Sequence, residues 1–109
     1  MIRGMFSSIH LELTAVGTAI DWQEAFESSY DKETFIDVLP SGSYPDTRSV
    51  RASNRLRIAV HQDNARHELT VMVVQDNLVK GAAGQAVQNL NVMFGLDESL
   101  GLNAAPIVP

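Results

Sequence analysis

VMVVQDNLVKGAAGQAVQNLNVMFG, residues Val71–Gly95, is the stretch that decides the fold. Val71 to Val74 is an apolar run rich in β-branched residues, which suits a strand covered on both faces. Asp76 follows as a helix N-cap, its carboxylate able to accept the unpaired N–H groups of a first turn. Beyond it Val79, Ala82, Ala83, Ala86, Val87, Leu90, Met93 and Phe94 recur with a period of about 3.6 residues and form one apolar stripe. Gly95 is the expected stop, because glycine takes the left-handed conformation without a steric cost. The reading is a buried strand leading into one long helix.

Gly81 and Gly84 fall on the side of that helix away from the stripe, together with Lys80, Gln88 and Asn91. Each glycine costs roughly 1 kcal/mol relative to alanine in a helix interior. A bare outer face admits another domain, another chain or a ligand close to the backbone. The helix N-terminus, with its unpaired donors and partial positive charge, is a second place for a ligand.

Outward from this element the chain supplies a sheet. Ile9, Leu11 and Leu13 alternate with His10, Glu12 and Thr14 as a half-buried strand. Ala15 to Ala19 reads as a turn or loop; Asp21 with Glu24 reads as a capping box opening a short helix with Trp22, Ala25, Phe26, Ser29 and Tyr30 on one face. Phe35 to Leu39 is a short strand, and the prolines and glycine of Pro40–Asp46 exclude regular structure. Leu56, Ile58 and Val60 pair across the polar turn Gln62–Arg66 with Leu69, Val71 and Val73 as a hairpin. The tail from Asp97 to Pro109 is read as irregular. The class is α+β, with a mixed, largely antiparallel sheet and helices packed on one face.

The 109 residues suffice for one domain, and 45% hydrophobic with 19% charged residues is an ordinary globular balance. A net charge of −5 argues against non-specific nucleic-acid binding. No apolar run approaches the roughly 20 residues of a membrane span, and MIRGMFSS lacks a signal-peptide core, so a cytoplasmic location is expected. Cysteine is absent, which removes disulfides and thiolate chemistry from this chain. GAAG lies too far inside the helix to be a phosphate loop. His61 and His67 flank the hairpin turn near Asp63, but a metal needs a further ligand, and two solvated histidines are the simpler reading. His10 has no evident partner for acid–base work, and Ser7, Ser8, Ser41 and Ser43 have no nucleophile context. Glu24, Glu27, Asp31 and Glu33 read as a solvated face. Arg3 beside Gly4 is suited to bidentate contact with a carboxylate or phosphate at the mouth of a strand.

QDNLVKGAAGQAVQNLNVMFGL (Gln75–Leu96) closely resembles the C-terminal helix motif of the N-acetyl-gamma-glutamyl-phosphate reductase family. MIRGMFSSIHLEL (Met1–Leu13) is similar to that family's strand opening with Pro-Met-x-Arg-Gly. VLPSGSYPDTRSVRASN (Val38–Asn54) resembles its LPxGxxPxT(K/R)xVxGxN segment, with Ala52 in place of the glycine. The resemblance implies part of an NADPH-dependent enzyme of arginine biosynthesis that reduces N-acetyl-glutamyl phosphate to the semialdehyde, releasing phosphate. It implies a glyceraldehyde-3-phosphate dehydrogenase-like C-terminal domain beside an N-terminal dinucleotide-binding domain, and a homo-oligomer, dimer or tetramer. In that family a cysteine forms a thioester and a histidine serves as acid and base. This sequence has no such cysteine, no GxGxxG and none of the family's histidine-bearing segment, so residues 1–109 are expected to be a substrate and dimerisation fragment, inactive alone. Carried over, Asn77 is expected to contact the nicotinamide carboxamide, Gly81 and Gly84 to form the bare face toward the nucleotide domain or its coenzyme, with Gly81 in the coenzyme site, and Arg3 to lie near the substrate's anionic groups. Residues 77–95 are expected to pack on the NADP-binding domain. No catalytic residue and no metal ligand is assigned. The same resemblance admits aspartate-semialdehyde dehydrogenase and the carrier-linked aminoadipate reductases; a non-catalytic α+β oligomerisation module is the other class of reading.

Overall fold

A computed structural model describes residues 2–107, so Met1 of the first motif and the last two residues of the tail lie outside the described residues. Four strands, β1 (Met5–Glu12), β2 (Ile36–Val38), β3 (Leu56–Asp63) and β4 (Glu68–Gln75), form one sheet in the order β1-β4-β3-β2. β4 runs antiparallel to both β1 and β3, while β2 is parallel to β3. The sheet is therefore mixed and mainly antiparallel, as its sequence pattern requires. Ile9, Val71 and Val60 stand opposite one another across the three long strands, which puts every second residue of each on a common face. Backbone bonds from Leu56 to Phe35 and from Leu39 to Ile58, both 2.8 Å, tie β2 to β3 over the Phe35–Leu39 stretch.

The core lies on that common face. Leu13, Ile58, Val60, Leu69 and Val71 are buried there, and Trp22, Phe26 and Tyr30 pack onto them from helix α2 (Trp22–Tyr30). Asp21 Oδ1 accepts from Glu24 N at 3.1 Å, so the expected cap is in place. Ala15 to Thr18, read from sequence as a loop, is instead one helical turn, α1 (Ala15–Thr18), because Thr14 Oγ1 accepts from Gly17 N and caps it. The nine-residue α2 covers only part of the sheet; Ile9 and Leu11 on edge strand β1 stay about half exposed. On the opposite face Ala59 and Val74 are also buried, and the Pro40–Asn54 segment crosses it, with Ser43 O 2.8 Å from His61 Nε2 and Tyr44 stacked on the His61 ring.

After β4 the chain enters a π-helical turn, Val79–Ala83, which runs into helix α3 (Gly84–Met93). Bonds from Gly81 N to Asp76 O (2.9 Å) and Ala83 N to Leu78 O (3.2 Å) span five residues rather than four. At the far end Gly95 has φ +67°, and bonds from Gly95 N to Val92 O and Leu96 N to Asn91 O complete a Schellman close.

The orientation of α3 overturns one expectation. Lys80, Gly84 and Asn91 face inward and are buried, whereas Val87, Leu90, Met93 and Phe94 face out, Met93 and Phe94 being more than two-thirds exposed. The physical reason is hydrogen bonding. Lys80 Nζ and Asn54 Nδ2 both donate to Gln88 Oε1 (2.7 and 2.9 Å), Gln88 Nε2 donates to Glu98 Oε1 (2.7 Å), and Asn91 Nδ2 donates to the carbonyls of Glu98 and Leu100. These bonds seat the polar side against the 50–54 segment and the tail, with Asn54 Oδ1 alone in that set left without a partner, so the apolar stripe is what remains uncovered. Gly84 therefore belongs to an inner contact, while Gly81 stays exposed.

Candidate functional site

The site is assembled where the start of β1 meets the start of the π turn. Asp76 is its hub, with 0% of its surface exposed. Oδ1 accepts from Leu78 N (2.8 Å) and Val79 N (3.0 Å), which is the helix cap expected from sequence. The carboxylate also accepts from Arg3 Nη2 at 3.2 Å, Arg3 Nε lies 2.7 Å from Oδ2, and Ala52 N donates to Oδ2 at 2.6 Å. Burial works to raise the Asp76 pKa, but the donors Ala52, Arg3, Leu78 and Val79 outweigh it and hold the carboxyl below the usual aspartate range.

Asn77 lies one residue on, and its Oδ1 accepts from Gly4 N at 2.9 Å. That bond fixes the amide orientation and leaves Nδ2 as the group it can offer as donor. Gly4 has φ +117°, and a Cβ there would sit 2.9 Å from Thr47 Cβ, so the Arg3-Gly4 pair needs glycine for both conformation and space. Arg3 engages Asp76 through Nε and Nη2; the end-on fork of its guanidinium keeps three N–H groups for another acceptor. Gly81 donates its N–H to Asp76 O, and only the flexible Gln75 amide (3.3 Å) and Asp76 O (3.4 Å) lie near an added Cβ. Arg3, Asn77 and Gly81, named separately from sequence, are thus tied to a single hub across 73 residues of chain.

Sequence reasoning missed two members. Asp76 was read as a cap alone, although only one of its oxygens does that work. Ala52 has φ +61°, so the position where the family pattern has glycine is a left-handed one, and its N–H is bonded to the hub. Lys80 is also buried; desolvation lowers its pKa, with Glu98 and Glu33 opposing that shift. Its ammonium lies 5.6 Å from the centroid of the Phe35 ring and points into the inner layer beneath α3.

The histidines do not gather. His61 is held by Ser43 and Tyr44, His10 lies beside Ser8 and Thr70, and His67 sits at the hairpin turn with φ +56°. Among the described residues no group of three His, Asp or Glu side chains could hold a metal ion, and no helix is long and apolar enough to cross a membrane. The apolar groove of about 340 Å³ between α2 and β1, lined by Ile9, Leu11, Phe26, Tyr30 and Val71 among others, is on the sheet, away from the hub.

A mixed four-stranded sheet followed by a terminal helix is the fold this chain shares with solved semialdehyde dehydrogenases. The family model for the semialdehyde dehydrogenase dimerisation domain matches residues 1–77, and the chain belongs to that family. A crystal structure of aspartate semialdehyde dehydrogenase II from Vibrio cholerae superposes with a TM-score of 0.62 at 27% identity, covering 84% of this chain and 28% of that one. The chain is 81% identical over its whole length to an N-acetyl-gamma-glutamyl-phosphate reductase of Psychrobacter cryohalolentis and 60% identical to one of Bordetella avium. It spans 31% of the length of each of these relatives. The resemblance read from the three motifs therefore extends over all 109 residues.

Proposed function

We propose that this chain is the C-terminal portion of an NADPH-dependent reductase that converts N-acetyl-glutamyl 5-phosphate to the 5-semialdehyde and phosphate in cytoplasmic arginine biosynthesis. The observation that carries this reading is the match, at up to 81% identity over every residue of the chain, to reductases of that name. The family's dimerisation domain supports a homo-oligomer built through residues 1–77. The outward apolar stripe of α3 falls outside that range, which supports a different neighbour for it: the NADP-binding domain of the same polypeptide.

In this reading NADPH, held mainly by that other domain, supplies the hydride. Asn77 Nδ2 donates to the nicotinamide carboxamide while Gly4 N–H holds its Oδ1. Gly81 gives the coenzyme an exposed stretch of helix with only the movable Gln75 amide beside it. Arg3, anchored by Asp76 along one edge, offers its remaining fork to an anionic group of the substrate. The nucleophilic sulfur must come from outside this chain, which has no cysteine, so the 109 residues alone are expected to oxidise no NADPH in the presence of the acyl phosphate. In the full-length enzyme Asn77→Ala is expected to raise KM for NADPH about tenfold, as loss of one buried hydrogen bond to a bound group does. Unchanged KM and kcat would remove Asn77 from the coenzyme site.

A further inference from the structure

We propose that Asp76 is a positioning residue that sets the substrate-contacting Arg3 and the coenzyme-contacting Asn77 in one frame, so that a single buried carboxylate aligns the two halves of the reaction. The inference rests on the roles just given to Arg3 and Asn77. A helix cap needs only the two N–H groups of Leu78 and Val79, and Oδ1 takes both. The carboxylate reaches further: Oδ1 also takes Arg3 Nη2, and Oδ2 takes Ala52 N and lies in ion-pair contact with Arg3 Nε, so two segments remote in sequence are held as well. Serine or asparagine would cap the turn as well. Neither could hold the guanidinium side-on while accepting from Ala52, because that needs a second acceptor oxygen and a negative charge. The aspartate is thus over-qualified as a cap, and the surplus is spent on Arg3 and on the left-handed turn at Ala52.

A second rung lies beside the first. Gly4 N–H bonds Asn77 Oδ1, so residues 3–4 and 76–77 are cross-linked twice at consecutive positions. A shift of Arg3 is transmitted through Gly4 to the Asn77 amide, and a shift of the helix start is transmitted to Arg3. Displacement of reacting groups by about 1 Å can cost on the order of a hundredfold in rate, so this coupling has catalytic weight.

The test uses the full-length reductase. Asp76→Asn keeps the shape and the cap but gives up the charge and one acceptor. It is expected to raise KM for both NADPH and the acyl phosphate, each by about tenfold, whereas Asn77→Ala moves the NADPH value and Arg3→Lys the acyl-phosphate value. A merely structural Asp76 would reduce the fraction of folded enzyme, and with it kcat, while leaving both KM values where they were; that result, or movement of only one KM, overturns the proposal. If Asp76→Asn is recovered unfolded, Asp76→Glu, which keeps the charge and shifts it by one methylene, carries the same two outcomes. Failure of the reductase reading is distinguishable, because the unmodified full-length enzyme would then show no NADPH oxidation with N-acetyl-glutamyl phosphate.

Discussion

Replacing Gly84 by alanine sets two effects of opposite sign against each other. In an exposed helix interior the change gains roughly 1 kcal/mol, because alanine loses less backbone entropy. Here the added Cβ would overlap Asn54 Oδ1 and come within 2.7 Å of Val79 O, the acceptor of the Gly84 N–H in the π turn. Asn54 is 1% exposed and cannot swing away without giving up its bond to Gln88. Overpacking of this kind costs about 1–3 kcal/mol, and stranding a buried amide costs about 1–3 kcal/mol more. The steric and hydrogen-bond losses win, and Gly84→Ala is expected to destabilise by about 2 kcal/mol or more. With a urea m-value of about 1–3 kcal/mol/M, the midpoint should fall by about 1 M. Trp22, the sole tryptophan, packs on the core and reports unfolding by its fluorescence. Gly81→Ala is the internal control: its Cβ meets only a movable amide and one carbonyl at ordinary range, so stability should hold or rise by up to about 1 kcal/mol. A Gly84→Ala chain as stable as the parent would refute the inward assignment of this helix face.

Other consequences can be measured directly. Because the Asp76 pKa is lowered on folding, its contribution is present above the unfolded aspartate pKa, near pH 4, and is lost as pH falls through the folded value; urea midpoints of the parent should drop across that acid range, and those of Asp76→Asn should drop less. Ala52→Gly relieves a left-handed alanine, worth about 1–2 kcal/mol, against an entropic cost of about 0.5–1 kcal/mol, so a net gain of up to about 1.5 kcal/mol is expected in the same titration, and a loss would contradict the assigned turn. Leu90→Lys with Phe94→Lys should leave the isolated chain within about 0.5 kcal/mol of the parent yet lower the Tm of the full-length enzyme; equal effects in both would argue against a docked α3.

The sheet was legible because alternation, turn residues and caps agree along its length. Ile9 and Leu11 on β1, and Leu69 and Val71 on β4, share a face in the structure as they do in the pattern. Asp21 caps α2 as its spacing to Glu24 requires, and Gly95 closes α3. What could not be read was the direction in which α3 turns. Periodicity finds two faces on a helix but not which of them is inside, and the usual assignment fails when the polar face meets partners of its own: Asn54, Glu98 and the tail carbonyls. Arg3 came from its chemistry beside Gly4, Gly81 from the bare face of the helix and Asn77 from the family motif, and nothing local in the sequence could have placed them around one hub. Asp76 was half legible. Its role as a cap is written in its neighbours, whereas its bonds to Arg3 and Ala52 depend on tertiary approach.

The polar underside of α3 has a mechanical consequence. A cylinder seated on greasy contacts can roll or slip by one position for little energy, since one methyl replaces another. Lys80, Gln88 and Asn91 instead act as teeth, each meshed with an acceptor or donor at a set angle. Rolling α3 together with its π turn by one residue, about 100° around the axis, would unmesh them all at once. The rod therefore resists torque, and whatever pulls on its bare side moves the Asp76–Asn77 corner with it rather than spinning the rod in its bed.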